Sequence, residues 1–228
     1  MGRCLMADML VIAAVCRAAA CDADETEAVV ASRVELPSPR STTDMLVEKA
    51  LHQRRSVREF DGTPLTLAEV SQLLWAAQGT TRGGAGRTAP SAGALYPLEV
   101  FVVAGNVTGL ASGVSRYVPG EHALATVVVG DRRKQLAAAA LGQDWMTRAP
   151  VLLLIAGVDE RTAAKYGRRA TRYVDFEAGC AAQNVALEAV ALALGTVVIG
   201  AFEDARVQSV AGLAAEERPI ALMPVGRE

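Results

Sequence analysis

Apolar positions recur along the chain at two periods, and those periods mark out its elements. Val70, Leu73, Leu74 and Ala77 follow the i, i+3, i+4, i+7 spacing of one helix face. Thr66 and Glu69 stand three apart just ahead of that stripe, as in a capping box, and Gly79 supplies a stop. A shorter helix is expected from Met45 to about Arg54, capped by Asp44, with Leu46, Ala50 and Leu51 on one face. Arg132 to Leu141 and Asp204 to Leu213 also read as helices. Leu98 to Ala104 and the continuous apolar run Val151 to Val158 predict buried strands. Thr196 to Gly200 and Ile220 to Val225 predict two more, and Arg116 to Val129 a hairpin turning at Pro119-Gly120. Val57 to Phe60 is short and extended. Thr80 to Tyr96, with four glycines and a proline, is a loop.

Thr171 to Leu194 reads as one long helix, roughly 36 Å at 1.5 Å per residue. Gly179, Ala182, Ala186, Ala189 and Ala193 recur along it at steps of three or four, which lets another helix approach closely. Its length points to a central helix shared with a partner, in a homodimer; core packing inside one subunit is the other reading. The order of elements lacks the regular alternation of a doubly wound sheet, so the fold class is α+β, a mixed sheet flanked by helices. Residues 22 to 43 carry acidic positions and then Pro37 and Pro39, which forbid a regular helix. They read as a linker, so that residues 1–43 form leader and linker and residues 44–228 the domain.

Composition narrows the class of partner. The chain has 228 residues, 51% of them apolar, with a net charge of -2, which suits one globular domain rather than a basic surface for nucleic acid. Three of four cysteines (Cys4, Cys16 and Cys21) crowd the leader, and only Cys180 lies in the domain. His52 and His122 have no companions at zinc-ligand spacing, so no metal site is expected. Arg3, the apolar run Leu10 to Cys16 and Ala18-Ala19-Ala20-Cys21 resemble a bacterial export signal with Cys21 placed for lipidation. Asp8 and Arg17 crowd that run, and a non-signal leader is the other reading. Location is therefore open between cytoplasm and cell envelope, and membrane attachment is expected only through a lipidated Cys21.

The densest polar cluster is Arg54-Arg55-Ser56-Val57-Arg58-Glu59-Phe60-Asp61. Three guanidiniums and a hydroxyl within five residues offer a phosphate the charge-assisted donors it needs. A solvated basic helix end is the plainer reading. Ala89 to Pro97 follows the glycine-rich loop; it is neither a Walker loop nor a nucleophile elbow. Val197 to Asp204 is a strand-to-helix turn, and Leu222 to Arg227 a strand ending in an arginine.

Together these stretches resemble the nitroreductase family, in its SagB/ThcOx-type branch. The resemblance runs from about Met45 to Arg227 and rests on Arg54 to Phe60, Ser71 to Gly79, Pro90 to Glu99, Lys165-Tyr166-Gly167-Arg168, Ala181 with Gln183-Asn184, Gly200-Ala201-Phe202 and Pro224 to Arg227. It implies an FMN-binding α+β fold that dimerises with both flavins at the interface. Arg54, Ser56 and Arg58 would hold the flavin phosphate and ribityl chain, with Arg227 returning to the phosphate and Arg55 beside the ring system. Ser91 and Gly93 would line the flavin, from the second subunit, and the Gly200-Ala201 turn would present a backbone N–H near its N5. Lys165-Tyr166 matches a pair that azoline oxidases of the branch use for proton transfer; an exposed lysine beside a packed tyrosine is the plainer reading. The sequence departs from the branch at Asp175 and Cys180, where histidine is common, and Cys180 is expected as a buried core thiol. The function implied is an FMN-dependent oxidoreductase working between NADH or NADPH and a small organic acceptor. The alternatives are an azoline-ring dehydrogenase acting on modified peptides, and a non-catalytic flavin-binding module.

Overall fold

The computed structural model describes residues 32–228, so the leader reading and Cys4, Cys16 and Cys21 lie outside the described residues. The main sheet has seven strands: β1 (Arg33–Glu35), β2 (Leu98–Ala104), β3 (Gly113–Val118), β4 (Ala123–Val129), β5 (Val151–Gly157), β6 (Gly195–Thr196) and β7 (Arg218–Gly226). Their order is β1-β4-β3-β2-β5-β7-β6. All of these pairings are antiparallel. A parallel bridge between Ser56 and Thr196 extends the β6 edge and makes the sheet mixed.

β2 and β5 are apolar on both faces, apart from Glu99 at the start of β2, because both sheet faces are covered. Val100, Val102, Leu153 and Ile155 enter one core, with Leu73 and Val185. Phe101, Val103, Leu152 and Leu154 enter the other, with Leu136 and Val207. The first core is roofed by α2 (Leu67–Gln78) and α5 (Ala170–Ala191), the second by α3 (Arg133–Ala139) and α6 (Asp204–Ala211). Two further helices, α1 (Val47–Gln53) and α4 (Asp159–Tyr166), pack against α5.

The capping box forms as its spacing predicts. The Thr66 N–H donates to Glu69 Oε2 at 2.8 Å, and the Glu69 N–H to Thr66 Oγ1 at 3.2 Å. Gly79 ends α2 with φ -61°, so its role is spatial rather than conformational: a Cβ there would overlap the Trp75 ring. The central helix spans 22 residues, and α2 lies on it. Ala182, Ala186 and Ala189 are buried within the chain itself, while Gly179 and Ala193 are exposed. Most of the small-residue stripe thus serves the close approach of helices inside one subunit.

Several expectations are corrected. Asp44 does not cap α1; the helix opens at Val47 behind Leu46, with no side-chain cap, and Leu46 and Leu51 are exposed while Ala50 is buried. α4 has no apolar stripe to reveal it, its one buried side chain being Thr162. The stretch expected as linker contains an edge strand, for β1 pairs with β4 and Leu36 is buried.

A polar clamp holds that strap. The Ser71 hydroxyl donates to Pro37 O at 2.6 Å and so offers its lone pair to His122 Nε2–H at 2.7 Å. That leaves His122 Nδ1 to accept from the Tyr117 hydroxyl at 2.8 Å. Tyr117 is only 2% exposed, and burial, opposed by Arg87, pushes its hydroxyl up to about 12. The unfolded tyrosine titrates near pH ~10. Stability tied to this group is therefore complete below about pH 10 and is lost as pH rises towards about 12, by at most roughly 3 kcal/mol. Urea unfolding at pH 9 and pH 11 should show a steeper loss for the wild type than for Tyr117→Phe; equal slopes would remove the hydroxyl from the account.

Candidate active site

The segment after α1 runs along the β6 edge to the end of β7. The Val57 N–H donates to Thr196 O at 3.0 Å and the Asp61 N–H to Arg227 O at 3.0 Å. Gly195 permits this close approach, because a Cβ there would lie 2.7 Å from Val57 Cγ1. The pinning carries Arg55 and Arg227 into one cavity of about 660 Å³, closed by Thr196, Ala186 and Val190.

Arg227 is held in place from below. Its Nη2 donates to Glu69 Oε1 at 2.6 Å and its Nη1 to Pro64 O at 3.3 Å. Glu69 therefore closes the capping box with one oxygen and fixes an arginine with the other. Arg55 pairs with Glu228, both largely exposed. Arg54, Ser56 and Arg58 are exposed and stand outside the cavity lining. Neither the Arg54 nor the Arg58 guanidinium meets an ion-pair or hydrogen-bond partner among the described residues, so both charges face solvent.

A second group gathers at the opposite half of α5. Gly93 has φ +66°, and a Cβ on it would lie 3.0 Å from both Lys165 Nζ and Tyr166 Oη. The loop thus packs against the Lys-Tyr pair predicted from sequence. Lys165 is exposed, with its ammonium 5.5 Å from the Tyr166 ring centre, and Tyr166 meets Tyr173 edge-on at 5.0 Å. Beneath the loop sits Glu177 of α5, 5% exposed. Its Oε1 accepts from the Ala92 N–H at 2.8 Å, and Ser91 lies beside the same carboxylate. Burial pushes this carboxyl up, against the pull of the Ala92 N–H and the neighbouring Ser91 hydroxyl. Its Oε2 has no partner among the described residues. Glu177 was missed from the sequence; the available signal was an acidic residue among Val174, Ala178 and Ala181, on the core-facing side of a helix.

A cavity of about 310 Å³ lies beside this loop, lined by Pro90, Ser91, Tyr173, Phe176, Glu177 and Cys180. Cys180 is half-buried and reaches that cavity, which corrects its reading as a buried core thiol. Asp175 pairs with Arg218 at 2.8 Å, and Arg218 also holds Asp159 at 3.2 Å. The acid at this position therefore ties α5 to α4 and the start of β7. Gly200 and Ala201 lie exposed on the turn before α6 and line neither cavity. Ala186 of the first cavity and Phe176 of the second are ten residues apart on α5, or about 15 Å along its axis.

Residues 51–227 match the model of the nitroreductase family. A Methanocaldococcus jannaschii protein named as a nitroreductase is 45% identical over 185 residues, covering 81% of this chain and 92% of its own. A crystal structure from Ralstonia eutropha, also named as a nitroreductase, is 32% identical with a TM-score of 0.75, over 86% of this chain and 89% of that one. A chain of the Escherichia coli microcin synthetase McbBCD complex shares the fold at 23% identity and a TM-score of 0.67, over 86% of this chain and 78% of that one. The helix-flanked sheet with an arginine-bearing edge is thus a nitroreductase-like α+β fold. The chain belongs to the nitroreductase family and is an oxidoreductase of that family.

The double duty of Glu69 gives a testable consequence. Thr66→Ala removes the hydroxyl that receives the Glu69 N–H and should cost about 0.5–2 kcal/mol of stability. A chemical denaturation midpoint equal to that of the wild type would show that the box carries no such share.

Proposed function

We propose that the chain is an FMN-dependent oxidoreductase of the SagB/ThcOx-type branch, a homodimer that works between NADH or NADPH and a small organic acceptor. The observation that carries this reading is the arginine set at the β6 edge. Arg55 and Arg227 share a cavity of about 660 Å³, within the range of roughly 300–1,000 Å³ usual for small-ligand sites. Arg54 and Arg58 add two solvent-facing charges on the same segment. The donor set fits a phosphate: guanidiniums bind it through paired charge-assisted bonds. Glu228, the present partner of Arg55, is largely exposed, so a more highly charged anion competes with it from solvent.

When bound, FMN supplies the hydride chemistry, and the protein supplies binding, orientation and electrostatics. Arg54, Ser56 and Arg58 bind the phosphate and ribityl chain, Arg227 returns to the phosphate, and Arg55, in the same cavity as Arg227, lies toward the ring system. The Gly200-Ala201 turn has open backbone, with nothing near a Cβ position at Gly200, and offers fixed amide donors to developing negative charge. Ser91 and Gly93 come from the second subunit, since their loop and the arginine cavity occupy different stretches of α5. Exposed Leu46, Val47, Leu51 and Phe176, on and beside α1 and α5, supply apolar surface for that contact.

One observation favours a second reading, an azoline-ring dehydrogenase. Gly93 packs directly against Lys165 Nζ and Tyr166 Oη, placing an amine and a phenol side by side at the loop. In that reaction they would move the substrate proton.

The protein should purify yellow, and Arg54→Ala with Arg58→Ala should strip the flavin, at about 1.5–3 kcal/mol per lost charge-assisted bond. Full occupancy of the double variant at limiting FMN would refute the phosphate assignment. Light scattering should give a dimer that Leu51→Asp weakens; a flavin-loaded wild type of monomer mass sinks the assembly. Lys165→Ala separates the two enzymes. It should change quinone or nitroarene reduction by less than about tenfold, but lower azoline oxidation by about 10²–10⁴-fold if that is the reaction. A wild type that binds flavin yet exchanges electrons with neither nicotinamide nor a thiazoline peptide would be a binding module instead.

A further inference from the structure

The loop from Pro90 to Tyr96 is an awkward piece of backbone. Gly93 (φ +66°), Ala94 (φ +54°) and Tyr96 (φ +48°) all lie in the left-handed region, which disfavours the two residues that carry a Cβ. Such a conformation persists only when surrounding bonds over-determine it. The bonds present run to two residues, Glu177 and Ser91. The Ala92 N–H donates to Glu177 Oε1 at 2.8 Å, which ties the start of the turn to α5. Ser91 Oγ in turn accepts the Tyr96 N–H at 2.9 Å, and Ser91 O accepts the Ala94 N–H at 3.1 Å. Glu177 stands 85 residues away in sequence and on a rigid helix, so it refers the loop's shape to the core.

We propose that Glu177 is the positioning residue of this loop: it fixes Ser91 to Tyr96 in their left-handed course and thereby sets Gly93 against Lys165 and Tyr166. The role needs an acceptor at Oε1 and no more. Oε2, unpartnered among the described residues, is free to carry a proton without breaking the Ala92 bond, so a carboxamide can stand in for the carboxylate. The consequence for flavin rests on the function proposed above, whereas the consequence for the loop does not.

Hydrogen exchange of the full chain, as isolated and after added FMN, tests both. In Glu177→Ala the amides of Ala92, Ala94 and Tyr96 should exchange at least about tenfold faster, with α5 still protected, while Glu177→Gln should keep the wild-type pattern. Unchanged exchange in Glu177→Ala, or equal loosening in Glu177→Gln, overturns the proposal. If Glu177→Ala does not fold, Glu177→Leu serves: faster exchange at the Ala92 amide, with α5 still protected, supports the role, and an unchanged rate overturns it. FMN titration of the same samples should weaken with Glu177→Ala and recover with Glu177→Gln. Absence of FMN binding by every sample, the wild type included, refutes the flavin reading and leaves the exchange result to decide the loop.

Discussion

The fold depends on burying both faces of β2, β5 and β7. Phe101, Leu152, Leu154 and Leu222 fill one side, and Val102, Leu153, Ile155 and Met223 the other, all without exposure. A sheet so apolar on both sides requires helices on both sides, and these occupy its middle. Only the edges remain for chemistry. At one edge β1 is too short to do more than close the sheet; at the other, the two residues of β6 leave room for the arginine segment to pair through Ser56 and Val57. The arginine cavity is therefore at the edge because the middle is already spent on the core.

Two carboxylates connect that core to its margins. Glu69 uses one oxygen to finish a helix and the other to orient Arg227, so the start of α2 and the end of β7 are set together. Glu177 carries a loop on one oxygen and leaves the second unpartnered. A half-satisfied buried carboxyl costs stability that an apolar residue would not. Replacing Glu177 by an apolar side chain would relieve that cost but leave the Ala92 N–H and the strained turn unsupported. The residue makes sense as an anchor for backbone rather than as a contributor to packing.

What the sequence made legible follows the strength of local signals. The capping box, the two apolar runs and the Pro119-Gly120 hairpin each depend on neighbours in the chain, and each formed as expected. β1 and α4 gave no such signal, because Arg33 and Glu35 face solvent around a half-buried Val34, and α4 buries a threonine in place of an apolar stripe. Asp44 looked like a cap because the residue type is right, but the chain turns into helix three positions later. In the candidate site, the arginine cluster was visible as composition. Its sorting into Arg55, which enters the cavity, and Arg54 and Arg58, which do not, depends on backbone pairing to Thr196. Glu177 was hidden for a similar reason: its partner is a backbone amide 85 residues away.

The central helix explains how two groups of residues can serve one reaction without meeting in one chain. Its first half carries Phe176, Glu177 and Cys180, and its second half Ala186 and Val190. A continuous helix keeps those halves about 15 Å apart, and its burial against α2 and the sheet leaves little freedom to bend. Loop movement within one chain is therefore a poor way to bring Ser91 and Gly93 to the arginine cavity. In the proposed homodimer a two-fold axis beside the helix would do it with no movement, since an isologous contact would set the first half of one helix against the second half of its copy. Under the proposed homodimer each site then takes its arginines from one subunit and its Glu177-anchored loop from the other. The rigidity of α5, which separates the half-sites in a single chain, is what would hold them in register across the pair.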